Sequence, residues 1–297
     1  MVGAKRERML NETFLHVPGI GPTREQGLWR NGVQTWSDAA DTTLAPWLGR
    51  KRRDLMARCA DEADEGCWNT VAEFLPHGEH WRALALRDGD EIRPLRWLAL
   101  DIETTGIRPP SNRTTVVGVC GHATDFEPVA LVAGERDWAE PLADLLAASD
   151  VLLTFNGRQF DVPFLLDDLR RYRLEFPPFH LDLYHALRRL ELTGGLKKVQ
   201  QQLGFCRGED LEDLNGYAAV LLWQAYRRGK PGALETLVRY CLEDVVVLLE
   251  LAVYTYDHMS AKLGRNWRCP APPPVSMDGF PYDAEIARWM ARRTRKR

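Results

Sequence analysis

The chain has 297 residues, 27% of them charged and 45% hydrophobic, with a formal net charge of −3. That is enough apolar chain for one large core or two modest ones, and it excludes a global basic footprint, so any nucleic-acid contact must rest on local patches. No window reaches the eighteen or so apolar residues of a membrane span, the charged start "MVGAKRERML" lacks the apolar centre of a signal peptide, and six scattered cysteines have neither disulfide-framework nor zinc spacing, which together predict a cytoplasmic protein with reduced thiols and no membrane partner.

Residues 5 to 66 read as helical with short loops. In "FLHVPGIGPTREQGLWRNGVQTWSDA" a Pro-Gly-Ile-Gly turn lies between two short helices, the second opened by Pro22. Gly19 and Gly21 let the backbone approach a phosphate, the free N–H groups at the helix start bind an anion, and Thr23 adds a hydroxyl donor. The stretch resembles a helix-hairpin-helix, which grips nucleic-acid backbone without reading sequence; a glycine turn serving structure alone is the competing reading. "GRKRRDLMARCADEADE" fits an amphipathic helix with Leu48, Leu55 and Met56 inward. Residues 67 to 96 read as a connector, in which "EHWRAL" fits a short strand or a helix end.

From Trp97 strands and helices alternate. "RWLALDI", "TTVVGVC", "PVALVA" and "VLLTF" are short β-branched and apolar runs. "WAEPLADLLAAS" before the fourth and "RQFDVPFLLDDLRRYRL" after it fit helices, and most of the chain beyond residue 185 reads helical, with a long segment from Ala233 to about Tyr256. This order predicts an α/β fold, a mixed sheet flanked by helices, preceded by a small all-α module. The proline-punctuated end closes in "RRTRKR", a basic amphipathic helix or a basic tail.

The first strand ends "LDIETTG". Alternation along a strand puts Asp101 and Glu103 on one face, where two like charges repel unless a cation sits between them; hard carboxylate oxygens suit Mg2+ or Mn2+. Asp161 falls in the first turn of a helix whose Phe160, Phe164 and Leu165 face the core, and taken alone it only complements the helix dipole. Tyr240 and Asp244 are four apart, hence on one face of the strongly apolar long helix, where an interior aspartate is costly unless neutralised. A Tyr–Asp hydrogen bond or a solvated stripe would account for that pair equally well. Together the four carboxylates suffice for two divalent ions about 4 Å apart, a site that hydrolyses phosphodiesters. Tyr240, with a phenol pKa near 10, would orient the attacking water rather than abstract its proton.

"DIETTG", "FNGRQFDVPFL" and "YCLED", in that order, resemble the three motifs of the DnaQ-like, or DEDD, 3′ to 5′ exonucleases, which have a ribonuclease-H-like fold. The Tyr-x-x-x-Asp spacing is that of the tyrosine subclass, since the histidine subclass would need His where Arg239 stands. The intervening "HLDLYHALRRL", "GGLKKVQQQLGF" and "NGYAAVLLWQAYRRGKPGALETLVRYCLEDV" resemble the YprB-like branch. The resemblance spans residues 95 to 255 and implies metal ligation by Asp101, Glu103, Asp161 and Asp244, water positioning by Tyr240, and contact with the terminal nucleotide through Asn156, Thr104 and Thr105. Many relatives have Asn where Cys241 stands, a departure that leaves the ligands intact. Asp182, between His180 and His185, reads as a cap for the following helix in preference to a carboxylate behind the metals.

The expected organisation is thus a hairpin-like DNA-binding module (1–66), a connector (67–96), an exonuclease domain (97–256) and a basic tail (257–297). The expected activity is metal-dependent 3′ to 5′ exonucleolysis of single-stranded or frayed DNA ends, with nucleic acid the partner, DNA in preference to RNA, and no nucleotide cofactor. The alternatives are an exoribonuclease of the same chemistry and a non-catalytic adaptor.

Overall fold

The structure, a computed structural model, describes residues 10–40, 46–88, 91–134, 138–205, 211–212 and 214–294; Cys206 and the basic ends of the chain lie outside them. The chain divides into two compact units: Met1–Leu95 with Pro178–Leu181 and Val253–Pro270, and Arg96–Pro177 with Asp182–Ala252 and Ala271–Arg297. In the first unit a 3₁₀ turn, Leu10–Glu12, precedes α1 (Pro22–Arg30), α2 (Arg50–Asp64), α3 (Asn69–Phe74), a 3₁₀ segment His77–Leu84 and an antiparallel hairpin of β1 (Ala85–Asp88) and β2 (Glu91–Pro94). Thus "EHWRAL" is neither strand nor α-helix, and the hairpin after it was not foreseen: its Asp88-Gly89 dipeptide is a hairpin signal, but its flanks are too charged to read as strands. Within the described residues the element before the Pro-Gly-Ile-Gly turn is one 3₁₀ turn rather than a helix. Leu48 and Met56 are buried as expected and Leu55 is half-buried.

The second unit carries β3 (Trp97–Thr104), β4 (Thr114–Gly121), β5 (Val129–Val132), α4 (Ala139–Ala147), β6 (Val151–Thr154) and α5 (Asp161–Asp168). There follow in chain order β7 (Phe179–Asp182), of which only Asp182 is assigned to this unit, α6 (Leu183–Arg188), α7 (Leu196–Leu203), α8 (Gly216–Arg227), α9 (Ala233–Lys262), assigned to it as far as Ala252, and α10 (Ala284–Thr294). The sheet order is β5-β4-β3-β6-β7, with β3–β4 and β4–β5 antiparallel and β3–β6 parallel. The fold is therefore the mixed sheet flanked by helices that the sequence predicts.

Strand parity sets what each face meets. Leu98, Leu100 and Ile102, with Val117 and Val119 across the register, pack under Leu142 and Leu146 of α4 and Phe164 and Leu165 of α5. The opposite face, through Val116, meets α8, α9 and α10, among them Leu222, Leu237, Cys241, Ile286 and Met290. Ala284–Thr294 is accordingly an amphipathic helix whose apolar side is core; the last three residues of "RRTRKR" lie outside the described residues. Polar side chains fix the helix starts: Asn215 accepts from Ala218 N at α8, and Asp283 accepts from Glu285 N and Ile286 N at α10. Helix α5 stops at Asp168, short of the run expected; that carboxylate accepts from Thr114 N (2.6 Å) and pairs with Arg113.

In the first unit buried charge organises the core. Arg82 and Glu25, both almost wholly buried, pair at 3.0 Å. Thr13 Oγ1 and Phe14 N also donate to Glu25, at 2.9 and 2.7 Å, and Arg82 Nε donates to Glu79 at 2.9 Å. Trp81 and Trp267 flank the guanidinium. A second pair, Arg265 with Glu12 at 2.8 Å, is joined by Trp267 Nε1. Burial pushes the Glu25 carboxyl up, and Arg82 with the two hydrogen-bond donors pulls it back. Removing one partner of such a pair leaves an uncompensated buried charge, which costs about 3–5 kcal/mol. Arg82→Met is therefore expected to lower stability by about that amount in urea titrations of the intact chain, whereas Arg50→Met, whose ion pair with Asp54 is solvent-exposed, should change it by less than about 1 kcal/mol.

Candidate metal centre

Asp101 faces Gly118 in the β3–β4 register and Glu103 faces Val116, so both carboxylates lie on the α9 side of the sheet. The register shifts between Glu103 and Thr104, a bulge that re-aims the strand end as it leaves the ladder. On its other edge β3 pairs with β6 only from Trp97 to Ala99. Its carboxylate-bearing half thus runs past the end of its neighbour, where open sheets form their binding crevices.

Helix α5 covers that edge. Asp161, buried at its first position, accepts a hydrogen bond from the backbone N–H of Ile102, the residue between Asp101 and Glu103. Burial, reinforced by the charge of Asp182, pushes the Asp161 carboxyl up to about 7 against the pull of its own backbone N–H and, more weakly, of the Ile102 N–H. The dipole-capping reading that the sequence allowed for Asp161 thus misses its second role, which is to tie the helix to the acidic strand.

Helix α9 lies over the acidic face at close range. Cys241 Sγ is 3.7 Å from the Asp101 backbone oxygen and 4.0 Å from Asp101 Oδ2. A Cβ on Gly118 would stand 2.8 Å from Val245 Cγ2 and 2.9 Å from Cys241 Sγ, so only a glycine opposite Asp101 lets the helix come this near. Tyr240 and Asp244 are both buried, one turn apart. Asp101, Glu103 and Cys241 each offer a ligand atom within 4.8 Å of the others; Asp161 and Asp244 are not members of that tight group. Burial pushes the Cys241 thiol up, and the charges of Asp101, Glu103 and Asp244 push it further. It is therefore a neutral S–H that donates to the Asp101 backbone oxygen, and the donors with charge to offer are carboxylate oxygens, the set that suits Mg2+ or Mn2+. The sequence reading set Cys241 aside as harmless; the structure puts it on the floor of the cluster, beside Gly118, which sequence reading did not single out at all. Gly118 interrupts an otherwise β-branched run, the one available signal of close backbone approach.

The remaining predicted residues have these positions. Asn156 sits in the left-handed region with φ of 64°, and its N–H donates to Asp182 Oδ1 at 2.7 Å. Asp182, buried, also accepts from Arg158 N and from Tyr184 N, so it caps α6 and fastens the loop that leads into α5. The buried Thr104 donates its hydroxyl to Gly106 O, and Thr105 exchanges hydrogen bonds with Arg113 across the loop. In the first unit Gly19 has φ of 81°, Gly21 opens α1 with open space around its Cα, and Arg24 and Arg52 donate to the Gly19 and Pro18 carbonyls at 2.6 and 3.0 Å. Thr23 follows in the first turn of α1.

A family model described as the RNase_H superfamily matches residues 98–256, more than half of the chain. The chain belongs to the RNase H superfamily. Over 223 residues it is 25% identical to a DNA polymerase of Pyrococcus glycovorans, covering 62% of this chain and 27% of that protein. A family B DNA polymerase of the archaeon Pyrobaculum calidifontis superposes with a TM-score of 0.45 at 19% identity, covering 59% of this chain and 25% of that one. The chain thus spans about a quarter of the length of these polymerases. Among the described residues no helix is long and apolar enough to cross a membrane.

Two outcomes follow for this RNase H core. Because the folded state holds the Asp161 carboxyl near 7 against 3.8 ordinarily, it favours the protonated form, and this group withdraws stability as pH rises from about 4 to 7. In EDTA, Asp161→Asn should melt on the order of 5 °C above wild type at pH 8 and at nearly the same temperature at pH 4; a lower midpoint at pH 8 would contradict the assignment. Gly118→Ala should cost about 1–3 kcal/mol by overpacking, whereas Gly216→Ala, at the exposed start of α8 with nothing near its Cα, should cost less than about 1 kcal/mol.

Proposed function

We propose that this chain is a metal-dependent 3′ to 5′ exonuclease of the DnaQ-like tyrosine subclass, in its YprB-like branch, acting on single-stranded or frayed DNA ends. One observation carries the proposal: two carboxylates share one face of β3, and α9 is packed close enough to lay Cys241 over them, with the charge of the buried Asp244 also felt at that thiol. A fold has no structural use for that much buried negative charge, and a dead relative would be free to lose it. The polymerase name of the Pyrococcus glycovorans relative is consistent with a nucleic-acid substrate.

Asp101, Glu103, Asp161 and Asp244 would hold two divalent ions, which when bound neutralise the carboxylates, activate a water and stabilise the leaving oxygen. The chain's own groups do the rest. Tyr240, buried one turn from Asp244, would orient that water through its phenol. Asn156, held in its left-handed conformation through Asp182, presents its amide to the terminal nucleotide; Thr104 and Thr105 shape the turn against which the 3′ end rests. Cys241 donates to the Asp101 backbone and so fixes the strand relative to α9. In the first unit, Gly19, Gly21 and Thr23 at the start of α1 would hold a backbone phosphate in the manner of a helix-hairpin-helix, beside the cations of Arg24 and Arg52.

With Mn2+ or Mg2+, 5′-labelled single-stranded DNA should shorten progressively from its 3′ end. EDTA or Asp101→Ala should abolish the ladder, and Tyr240→Phe should lower kcat by about 10²-fold or more with a smaller effect on KM. Degradation of RNA but not DNA would move the substrate to RNA, and no degradation of either by freshly purified wild type would overturn the nuclease assignment.

A further inference from the structure

The second unit has a separate basic hollow. The end of α8 and the outer side of α10 enclose about 640 Å³, within the range that takes a drug-sized ligand, roughly one nucleotide. Arg228, Lys230, Arg288 and Arg292 line it, against two carboxylates, Asp283 and Glu285. Those acids sit at the start of α10, where Asp283 caps the helix and lies against Gly232, two residues from Lys230, so that end of the hollow carries both signs of charge, while Arg288 and Arg292 line it further along α10. There Trp289, 44% exposed, also lines the hollow. Its neighbours Ile286, Ala287 and Met290 are core, so the helix face that turns an indole outward is not the face it packs with. Arg293 lies over the Trp289 ring at 4.8 Å from its centre and orients it.

Arg293 already engages the Trp289 ring, yet the residue stays 44% exposed, so indole surface remains open to solvent in the same hollow as Arg288 and Arg292. Cations spaced along a groove neutralise a phosphodiester backbone, and an aromatic ring beside them stacks a base without regard to its identity. An acidic peptide would satisfy the cations and leave the indole unused; charge and ring together fit a single strand of nucleic acid. We infer that this α8–α10 hollow is a second, non-catalytic binding site for single-stranded DNA, which holds the strand while its end is degraded. The inference rests on the nuclease proposal for its purpose but not for its test.

The test is binding in EDTA, where nothing is hydrolysed. Anisotropy of a fluorescein-labelled dT20 is measured with wild type, with Trp289→Ala, with Trp289→Phe, and with Arg228→Ser/Arg292→Ser, all at exposed positions and each checked for an unchanged melting temperature. Trp289→Ala should weaken binding about 5- to 100-fold and Trp289→Phe much less. The double arginine variant should reduce the slope of log K against log salt by about 1.4, two phosphates at roughly 0.7 each. Hydrolysis of a trinucleotide with Mn2+ should be unchanged in every variant. Wild-type affinity for dT20 in the variants overturns the site, as does preference for an rU20 or a polyglutamate chain over dT20 through the same residues. Loss of dT20 binding in the variants alongside a wild type inactive on every substrate would keep the site and sink the nuclease proposal instead.

Discussion

Repulsion between carboxylates on one strand face is the constraint around which the second unit is built. Asp101 and Glu103 cannot separate, because the strand alternation that aligns them also sends Leu98, Leu100 and Ile102 into the opposite core. The fold spends its packing on keeping them together. The antiparallel ladder with β4 holds the strand, α5 clamps its open edge through Asp161 and the Ile102 N–H, and α9 closes over the acidic face. Each clamp adds negative charge or excludes water, so each makes the empty arrangement worse. Near-native packing density means that this cost is borne elsewhere in the core rather than relaxed away. A cation reverses the sign of every one of these terms.

Two uncharged features set how near the helix can come. Gly118 removes the one Cβ that would push α9 off the sheet, and Cys241 fills the space left, with a neutral thiol hydrogen-bonded to the Asp101 backbone. A larger or charged side chain at either position would change the separation of the carboxylates. Asp182 acts at one remove: by fastening the backbone at Asn156 and Arg158 and capping α6, it fixes the loop from which α5 and Asp161 start, and its charge helps hold the Asp161 carboxyl high. The first unit uses charge in the other way. Its buried carboxylates, Glu12 and Glu25, each have an arginine of their own, so that charge holds a core together without needing an external ion.

The architecture of the second unit was legible because its elements have strong periods. Four β-branched runs, a long apolar helix and an Asp-x-Glu strand end give sheet, face and acidic residues from alternation alone. Contacts between elements far apart in sequence were not legible. Nothing local to Gly118 states that Cys241 and Val245 lie against it, nor does the sequence around Asp161 state that its carboxylate meets the Ile102 N–H. The hairpin at Ala85–Pro94 was hidden by its charges, since a strand without apolar alternation gives no periodic signal. The C-terminal helix was half legible: its arginines were plain, but that Ile286, Ala287 and Met290 complete a core with α8 and α9 depends on residues some sixty positions apart. The buried pairs Glu25–Arg82 and Glu12–Arg265 span 57 and 253 residues, beyond any local pattern.

The most direct measurement of whether these carboxylates exist for cations is calorimetric titration of the metal-free chain with Mn2+ near pH 6, where Asp161 is still largely protonated, in two buffers of different ionisation heat. Saturable binding of two ions per chain, with heat that depends on the buffer because Asp161 gives up its proton, and loss of that binding in Asp101→Asn, is the predicted result. An absence of saturable binding, or binding that Asp101→Asn leaves intact, would contradict it.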